Sequence, residues 1–385
     1  MTARRGNDVS AIVAAAEVPY SRHPPPGTTT TALLADAFVR VLEAADIERD
    51  EVDGLGVASF TLAPDHAIDL AWRLGIRLRW LMEDPHGGVS ALNLLQHAVR
   101  AVESGDAANI VLLAGDHFAP GDFERLVSQY NRATSEHLAR IPTGGPNAQF
   151  ALVTQRHMAR HGLGREDYAV VPVSQRAWAA RNPGAVYRDS LSVDDYLAAP
   201  VVAPPLGRYD CVPVVSGADA ILVSRALPKR PVVRVRALRS SFNHDNQLGD
   251  GLSTGVGSIA AEFWQAAGFG PGEVDLACVY DDYPVMVLIQ LDELGFMLDG
   301  DVRRFVRERL EGDRWPLNTS GGQLSAGQAG AAGGMHGLVE AVHQLLGQAG
   351  ERQVAGAQRA VVTGYGGVVY VHGGCAAVAA LESTG

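Results

Sequence analysis

The chain is poor in cysteine, in positive charge and in long apolar runs, and each shortage removes a class of protein. Only three cysteines occur in 385 residues, Cys211, Cys278 and Cys375. Their wide spacing suggests neither a disulfide framework nor a cysteine zinc site, and no metal is expected. Lys and Arg number 32 against 43 Asp and Glu, a formal net charge of −11. That balance argues against nucleic acid or a membrane surface as partner. No apolar run approaches the roughly 18 residues that span a bilayer. Residues Met1 to Asp8 carry two arginines with no signal-peptide apolar segment behind them, so the cytoplasm is the expected compartment.

What is present is a well-supplied core. Hydrophobic residues make up 47% and charged residues 19%, enough for two ordinary domains or one large two-part fold. The first 115 residues alternate strand and helix signals. Val9–Ala16 and Val52–Ser59 read as strands, with a third near Leu78–Met82, and Ala32–Ala45 as a helix. Gly87–Ser104 has helical apolar spacing at Leu92, Leu95, Val99 and Val102, and Asn109–Gly115 is a wholly apolar strand. Residues 116 to about 209 break the rhythm and read as an inserted cap, with helical stretches around Ala148–His161 and Val171–Arg181. From Pro231 the order repeats: strands at Val232–Leu238, Val274–Tyr280 and Pro316–Ser320, helices at Ser258–Ala267, Pro284–Leu294 and Ala331–Leu346. Apolar strands at Ala360–Tyr365 and Cys375–Leu381 follow. Two halves with one order of elements imply a duplicated α/β unit.

The densest glycine stretch, Asn318 to Gly334, runs straight into the helical period at Leu338, Val342, Leu345 and Leu346. A Gly-rich turn feeding a helix suits an anionic oxygen, because the helix start offers free N–H groups and a positive dipole end. On composition alone the stretch reads equally as a flexible Gly/Ala loop.

The residues of that stretch resemble the Asn-x-x-Gly-Gly…Gly-His-Pro-x-Gly-Ala segment of the thiolase superfamily, in the style of its sterol-carrier or lipid-transfer branch. Asp210–Ala220 is similar to the Cys-x-Pro-x-x-Asp-Gly-Ala-Ala segment of that branch, and Val279–Phe296 to its His-Asp-x-Phe…Leu-Glu-Asp-Leu-Gly-Phe segment. The likeness covers essentially the whole chain. It implies a thiolase-like fold, with duplicated βαβαβαββ halves in a five-layer αβαβα arrangement. Residues 1–228 would form the N-terminal half, carrying the cap at about 116–209, and residues 229–385 the C-terminal half. A homodimer joined through the Leu78–Met82 strand and the Gly87–Ser104 helix is also implied.

The thiolase chemistry is missing from its places. The expected nucleophilic cysteine falls at Gly88, the Gly-His-Pro histidine at Gln328 and the second cysteine at Tyr365. An amide cannot act as a general base near neutral pH. Ser90, His86 and Cys211 are the remaining nucleophile or base candidates; a cysteine such as Cys211 is more often a small buried hydrophobe. Tyr280 takes the catalytic His or Asn position and Tyr283 the Phe position, with Asp281 and Asp282 between them. The bland reading of that cluster is an Asp-rich turn capping the helix that starts at Pro284.

This pattern resembles the steroid side-chain-cleaving aldolases of the lipid-transfer branch. It implies a carbon–carbon lyase that cleaves a β-hydroxyacyl-CoA with a steroid or other bulky side chain, by retro-aldol chemistry without a cysteine-bound intermediate. Tyr280 and Tyr365 are the expected proton-transfer groups, with Tyr283 and Asp282 next. Gly88, Gly322, Gln328 and His336 are the expected substrate contacts. Coenzyme A would enter only as part of the substrate, with no other cofactor. A small OB-fold, zinc-ribbon partner forming a heterotetramer is implied by the resemblance alone. Two other readings stay open: an acyltransferase or condensing enzyme with an unusual nucleophile, and a non-catalytic subunit that binds acyl-CoA or lipid.

Overall fold

Apolar strands of the parallel-sheet type must be covered on both faces, and the structure shows what covers them. It is a computed structural model that describes residues 10–62, 66–128, 132–137, 140, 145–225, 230–311, 315–369 and 372–384. Val9, which the sequence reading places in the first strand, lies outside the described residues.

The first half contains β1 (Ser10–Ser21), α1 (Thr30–Ala45), β2 (Gly54–Ala58), α2 (His66–Leu74), β3 (Trp80–Glu83), α3 (Ser90–Ser104) and β4 (Asn109–Asp116). The cap follows as α4 (Asp122–Ser128), α5 (Arg132–His137), α6 (Pro146–His161), α7 (Arg165–Ala179), α8 (Val193–Ala198) and the hairpin β5 (Val201–Ala203) and β6 (Leu206–Gly207). The half closes with β7 (Ser216–Arg225). The second half runs β8 (Val233–Phe242), α9 (Gly257–Ala267), β9 (Leu276–Cys278), α10 (Pro284–Glu293), α11 (Val302–Phe305), α12 (Gly322–Ala326), α13 (Gly333–Leu345), β10 (Arg359–Val368) and β11 (Gly373–Ser383).

The strands lie in the order β3-β2-β4-β7-β1-β8-β11-β10-β9. Ile12 pairs with Val233 at the seam, so the sheets of the two halves share an edge. The helical period of α3 buries Leu92, Leu95 and Val102, and that of α13 buries Leu338, Val342 and Leu345. These faces meet between the two sheets in one core with Leu112 and Val362. Helices α1 and α2 cover the outer face of the first sheet through Phe38, Val41 and Leu70. Helices α9 and α10, with α6 of the cap, cover the second through Phe263, Leu288 and Phe150. The result is five layers, helices outside, sheets within, and α3 with α13 at the centre. Truncating a central residue such as Leu92 to alanine costs about 2–5 kcal/mol, because neighbours on both sheets relax only partly into the space.

One expected strand does not form. Of Pro316–Ser320 only Leu317 makes a ladder contact, a single bridge to Ala277. Asn318 has φ 48°, a left-handed conformation that ends the extended run. Its side chain replaces the ladder: Oδ1 accepts from Val279 N at 2.7 Å and Nδ2 donates to Val279 O at 2.9 Å. Helix α7 also begins at Arg165, six residues before the expected Val171.

Candidate active site

The site is built where the start of α3, the start of α13 and the strand β10 come into near-backbone contact. A Cβ on Gly88 would lie 2.1 Å from the Tyr365 carbonyl oxygen and 2.4 Å from the Tyr280 ring. A Cβ on Gly334 or on Gly364 would each lie 2.6 Å from the Gly88 oxygen. Real Cβ atoms do not approach so closely, so glycine is required for three elements to meet here. Much of the glycine excess thus serves packing, and Gly88 makes room for an aromatic ring as well as facing the cavity.

Tyr280 follows the end of β9, and its backbone is pinned from two sides. Its N–H donates to Thr363 Oγ1 at 2.9 Å, and its carbonyl accepts from Gln290 Nε2 at 2.8 Å. The phenolic oxygen accepts from Gln328 Nε2 at 3.1 Å. The same Gln328 nitrogen donates to Gln323 Oε1 at 3.0 Å.

Tyr280 and Gln328 line a cavity of about 380 Å³ between the strand ends and the cap. Its walls are mainly apolar, with Phe60, Phe123, Val127, Phe150, Val212 and Val368 among the lining residues. Asn147, Asp282 and Tyr283 bring further polar groups to it. A mostly apolar pocket with a few convergent polar groups is the usual form of a small-molecule site.

The Asp281-Asp282-Tyr283 turn divides its labour. Asp281 is buried; its Oδ1 accepts from Gln323 N at 3.0 Å and its Oδ2 from Leu324 N at 3.3 Å, capping α12. Burial raises its pKa to about 6, against the lowering effect of those N–H bonds. Asp282 opens on the cavity while protein surrounds its carboxyl. Burial first, then the neighbouring Asp281 charge, pushes it well above the usual carboxylate range. Its Oδ1 accepts from Tyr283 N at 3.0 Å. Tyr283 stacks on Phe150 at 4.4 Å between ring centroids and donates to Asn147 Oδ1 at 2.7 Å. Burial and the Asp282 charge raise its phenol well above 10.

Three expected site residues, Tyr365, Gly322 and His336, sit elsewhere, as do the alternative candidates Ser90 and His86. Tyr365 touches Gly88 through its backbone, but its ring is fully buried and does not line the cavity. Its hydroxyl accepts from Gly373 N at 2.6 Å, and burial, then the Asp282 charge, lifts its pKa far above that of a free phenol. The ring packs in the core edge-on to Phe150, behind the cavity wall, while the carbonyl lies at Gly88. Gly322 packs against Asp281, where a Cβ would stand 2.1 Å from Oδ2, and faces a small space of about 10 Å³ behind Tyr280. His336 borders that same small space. Its Nε2 lies 2.8 Å from Ser320 Oγ and its Nδ1 3.3 Å from the Glu17 carboxylate. Burial alone would lower its pKa, but the Glu17 bond and charge, with Asp219, lift it to about 9. Tyr20 donates to Asp219 Oδ2 at 2.8 Å beside this pair. Glu17, Asp219 and His336 hold ligand-type atoms within 4.8 Å of one another, and we read them as an internal ion cluster joining β1, β7 and α13. Ser90, fully buried, donates to Asp84 Oδ1 at 2.6 Å. His86 shares that oxygen through Nδ1 at 2.9 Å.

Cys211 does line the cavity, yet burial and Asp210 push its thiol up to about 12, which removes the thiolate needed for attack. Gln323, Asn147 and Phe150 are site residues that sequence reasoning missed. Only Gln323 carried a signal, its place in the glycine-rich stretch.

Residues 239–375 match the model of the family described as "Thiolase C-terminal domain-like". The 17-hydroxy-3-oxo-4-pregnene-20-carboxyl-CoA lyase of Mycobacterium tuberculosis is 32% identical over 384 residues, covering 93% of this chain and 97% of that protein. The steroid side-chain-cleaving aldolase of Thermomonospora curvata is 29% identical, covering 83% and 86%. Among solved structures, the Ltp2-ChsH2(DUF35) aldolase superposes with a TM-score of 0.82 at 26% identity, covering 98% of each chain.

Proposed function

The chain belongs to the thiolase-like steroid side-chain-cleaving aldolases, and we propose that it is a carbon–carbon lyase acting on a β-hydroxyacyl-CoA with a bulky acyl part. One observation carries the reading: the space of the missing nucleophile at Gly88 is filled by the Tyr280 ring, whose hydroxyl reaches the cavity held by Gln328. Acyl transfer through a covalent intermediate has no activated nucleophile here. Retro-aldol cleavage needs none.

In the proposed reaction Asp282, as carboxylate, takes the proton of the β-hydroxyl. The Cβ–O bond becomes a carbonyl, and the Cα–Cβ electron pair moves into the thioester as an enolate. Tyr280 then gives its proton to Cα, leaving a shortened acyl-CoA and a carbonyl product. Both groups are reset by one proton passing back from Asp282 to Tyr280 through solvent. A carboxyl with a raised pKa is a stronger base than a free one and suits this task near neutral pH. The α3 start, opening at Gly88, offers its positive dipole end to the enolate oxygen. Coenzyme A is needed only as part of the substrate.

The assembly is read in the same way. Likeness to the Ltp2-ChsH2(DUF35) complex supports a DUF35-type partner, with the OB-fold, zinc-ribbon form and the heterotetramer as the finer proposal. The edge strand β3 exposes Leu81, and α2 beside it exposes Ile68 and Trp72, an apolar patch suited to self-association into a homodimer. Helix α3 is packed between the sheets, so β3 and α2 carry this patch. No described helix is long and apolar enough to cross a membrane.

The test is incubation of a tertiary β-hydroxyacyl-CoA with the chain, alone and with a DUF35-type partner. Equal release of carbonyl product and shortened acyl-CoA supports the reading; no cleavage under either condition sinks it.

A further inference from the structure

Gln323 is fully buried and touches no surface of the cavity, yet it links the Asp281 carboxylate to the group we assign as proton donor. Its Nε2 donates to Asp281 Oδ1 at 3.3 Å. An ionised carboxylate only accepts, so this contact fixes which end of the Gln323 amide faces Asp281. The other end, Oε1, must then face Gln328 and accept from its Nε2 at 3.0 Å. That in turn fixes the Gln328 amide, because an oxygen in place of its nitrogen would meet Gln323 Oε1 with no proton between them. The nitrogen so held donates to the Tyr280 oxygen at 3.1 Å. Glycine at 333 leaves the space for the chain: a Cβ there would stand 2.3 Å from Gln323 Oε1 and 3.0 Å from Gln328 Cγ.

We propose that Gln323 is a positioning residue for the lyase reaction, acting through Gln328 to keep a donor, and never an acceptor, against the Tyr280 oxygen. The inference rests on the proposed function for its kinetic consequence, but its geometric content is independent of it. A donor at that oxygen directs the Tyr280 proton away from Gln328 and stabilises the phenolate left after proton transfer. Without Gln323 the Gln328 amide is free to rotate by half a turn and accept the Tyr280 proton instead. Asp282 and Tyr283 line the cavity beside Tyr280 and remain in both cases.

Two variants test this. Gln323→Leu removes the link at similar volume. Gly333→Ala keeps every amide but pushes the Gln323 oxygen aside, at a helix start where alanine is well tolerated. Each is measured against the same protein carrying Tyr280→Phe, so that the ultraviolet difference spectrum isolates the Tyr280 titration. Circular dichroism melting confirms that the variants are folded. The expected result in both is a Tyr280 titration displaced to higher pH by roughly one unit or more. With it come a basic limb of kcat moved the same way, kcat lower by roughly 10- to 100-fold, and KM little changed. A Tyr280 titration unmoved in both folded variants overturns the inference. Wild-type protein without lyase activity overturns the proposed function instead, and the titration still decides the role of Gln323.

Discussion

Gly88 and Tyr280 share one space: the Tyr280 ring occupies the volume into which any side chain at position 88 would project, 2.4 Å from the ideal Cβ. The carbonyl of Tyr365 closes the same volume from β10 at 2.1 Å. A thiolase nucleophile and this tyrosine are therefore mutually exclusive, and the site can be converted only by changing both.

Restoring a cysteine should not restore thiolysis. Gly88→Cys forces a side chain against a backbone carbonyl that cannot move without β10, and overpacking of this kind costs about 1–3 kcal/mol or more. Expected outcomes are a lower melting temperature and no acetyl-CoA from acetoacetyl-CoA and free CoA, in wild type and variant alike. Acetyl-CoA release by the wild type would return attention to Cys211.

The two tyrosines at the vacated cysteine and base positions should behave differently. Tyr280→Phe removes a cavity hydroxyl and should lower turnover by about 10²- to 10⁴-fold, the range of an acid–base group. Tyr365→Phe removes the acceptor of the Gly373 N–H in the core and should cost about 1–3 kcal/mol of stability, with turnover largely kept. Equal loss of turnover in two folded variants would contradict this division.

Asp282 should set the acid limb. Its carboxyl is raised in the folded protein, so activity should fall as pH drops through that raised value, above the ordinary carboxylate range. Asp282→Asn should abolish the limb and reduce kcat by about 10²-fold or more. A wild-type profile flat down to pH 4 would remove Asp282 as the base.

Stability should depend on His336 in the opposite direction. Its folded-state pKa, about 9, exceeds the ordinary value of 6.5, so its contribution is complete below pH 6.5 and is lost as pH rises through 9. The contribution is at most about 3 kcal/mol. Wild type should melt earlier at pH 9.5 than at pH 6.5, and His336→Gln should show a flatter dependence over that window. Parallel curves would remove the charged state of His336 from the account.

Self-association should be carried by the β3 edge. Trp72→Glu with Leu81→Glu places charge on exposed apolar positions that have no role in the core. Sedimentation should show a dimer for wild type and monomer for the double variant; a wild-type monomer at micromolar concentration would end the proposal.

The sequence by itself determined the central helices, most strands of the large sheet and much of the list of suspects. Leu92, Leu95 and Val102, or Leu338, Val342 and Leu345, recur at a spacing that only a helix places on one face, and the apolar strands had to lie between such faces. The missing cysteines and histidine were equally legible, since an absent functional group is absent in any conformation. Tertiary structure alone decided which suspects reach the cavity. Tyr280 stands just past the end of β9, where its ring lines the pocket, while Tyr365 lies within β10 with its ring sealed in the core, a difference that residue type alone does not show. Gln323 was decided in the same way. Its place in the glycine-rich stretch marks the loop but not the residue, because its partners, Asp281 and Gln328, become a network only when the turn after β9 and that loop are packed together.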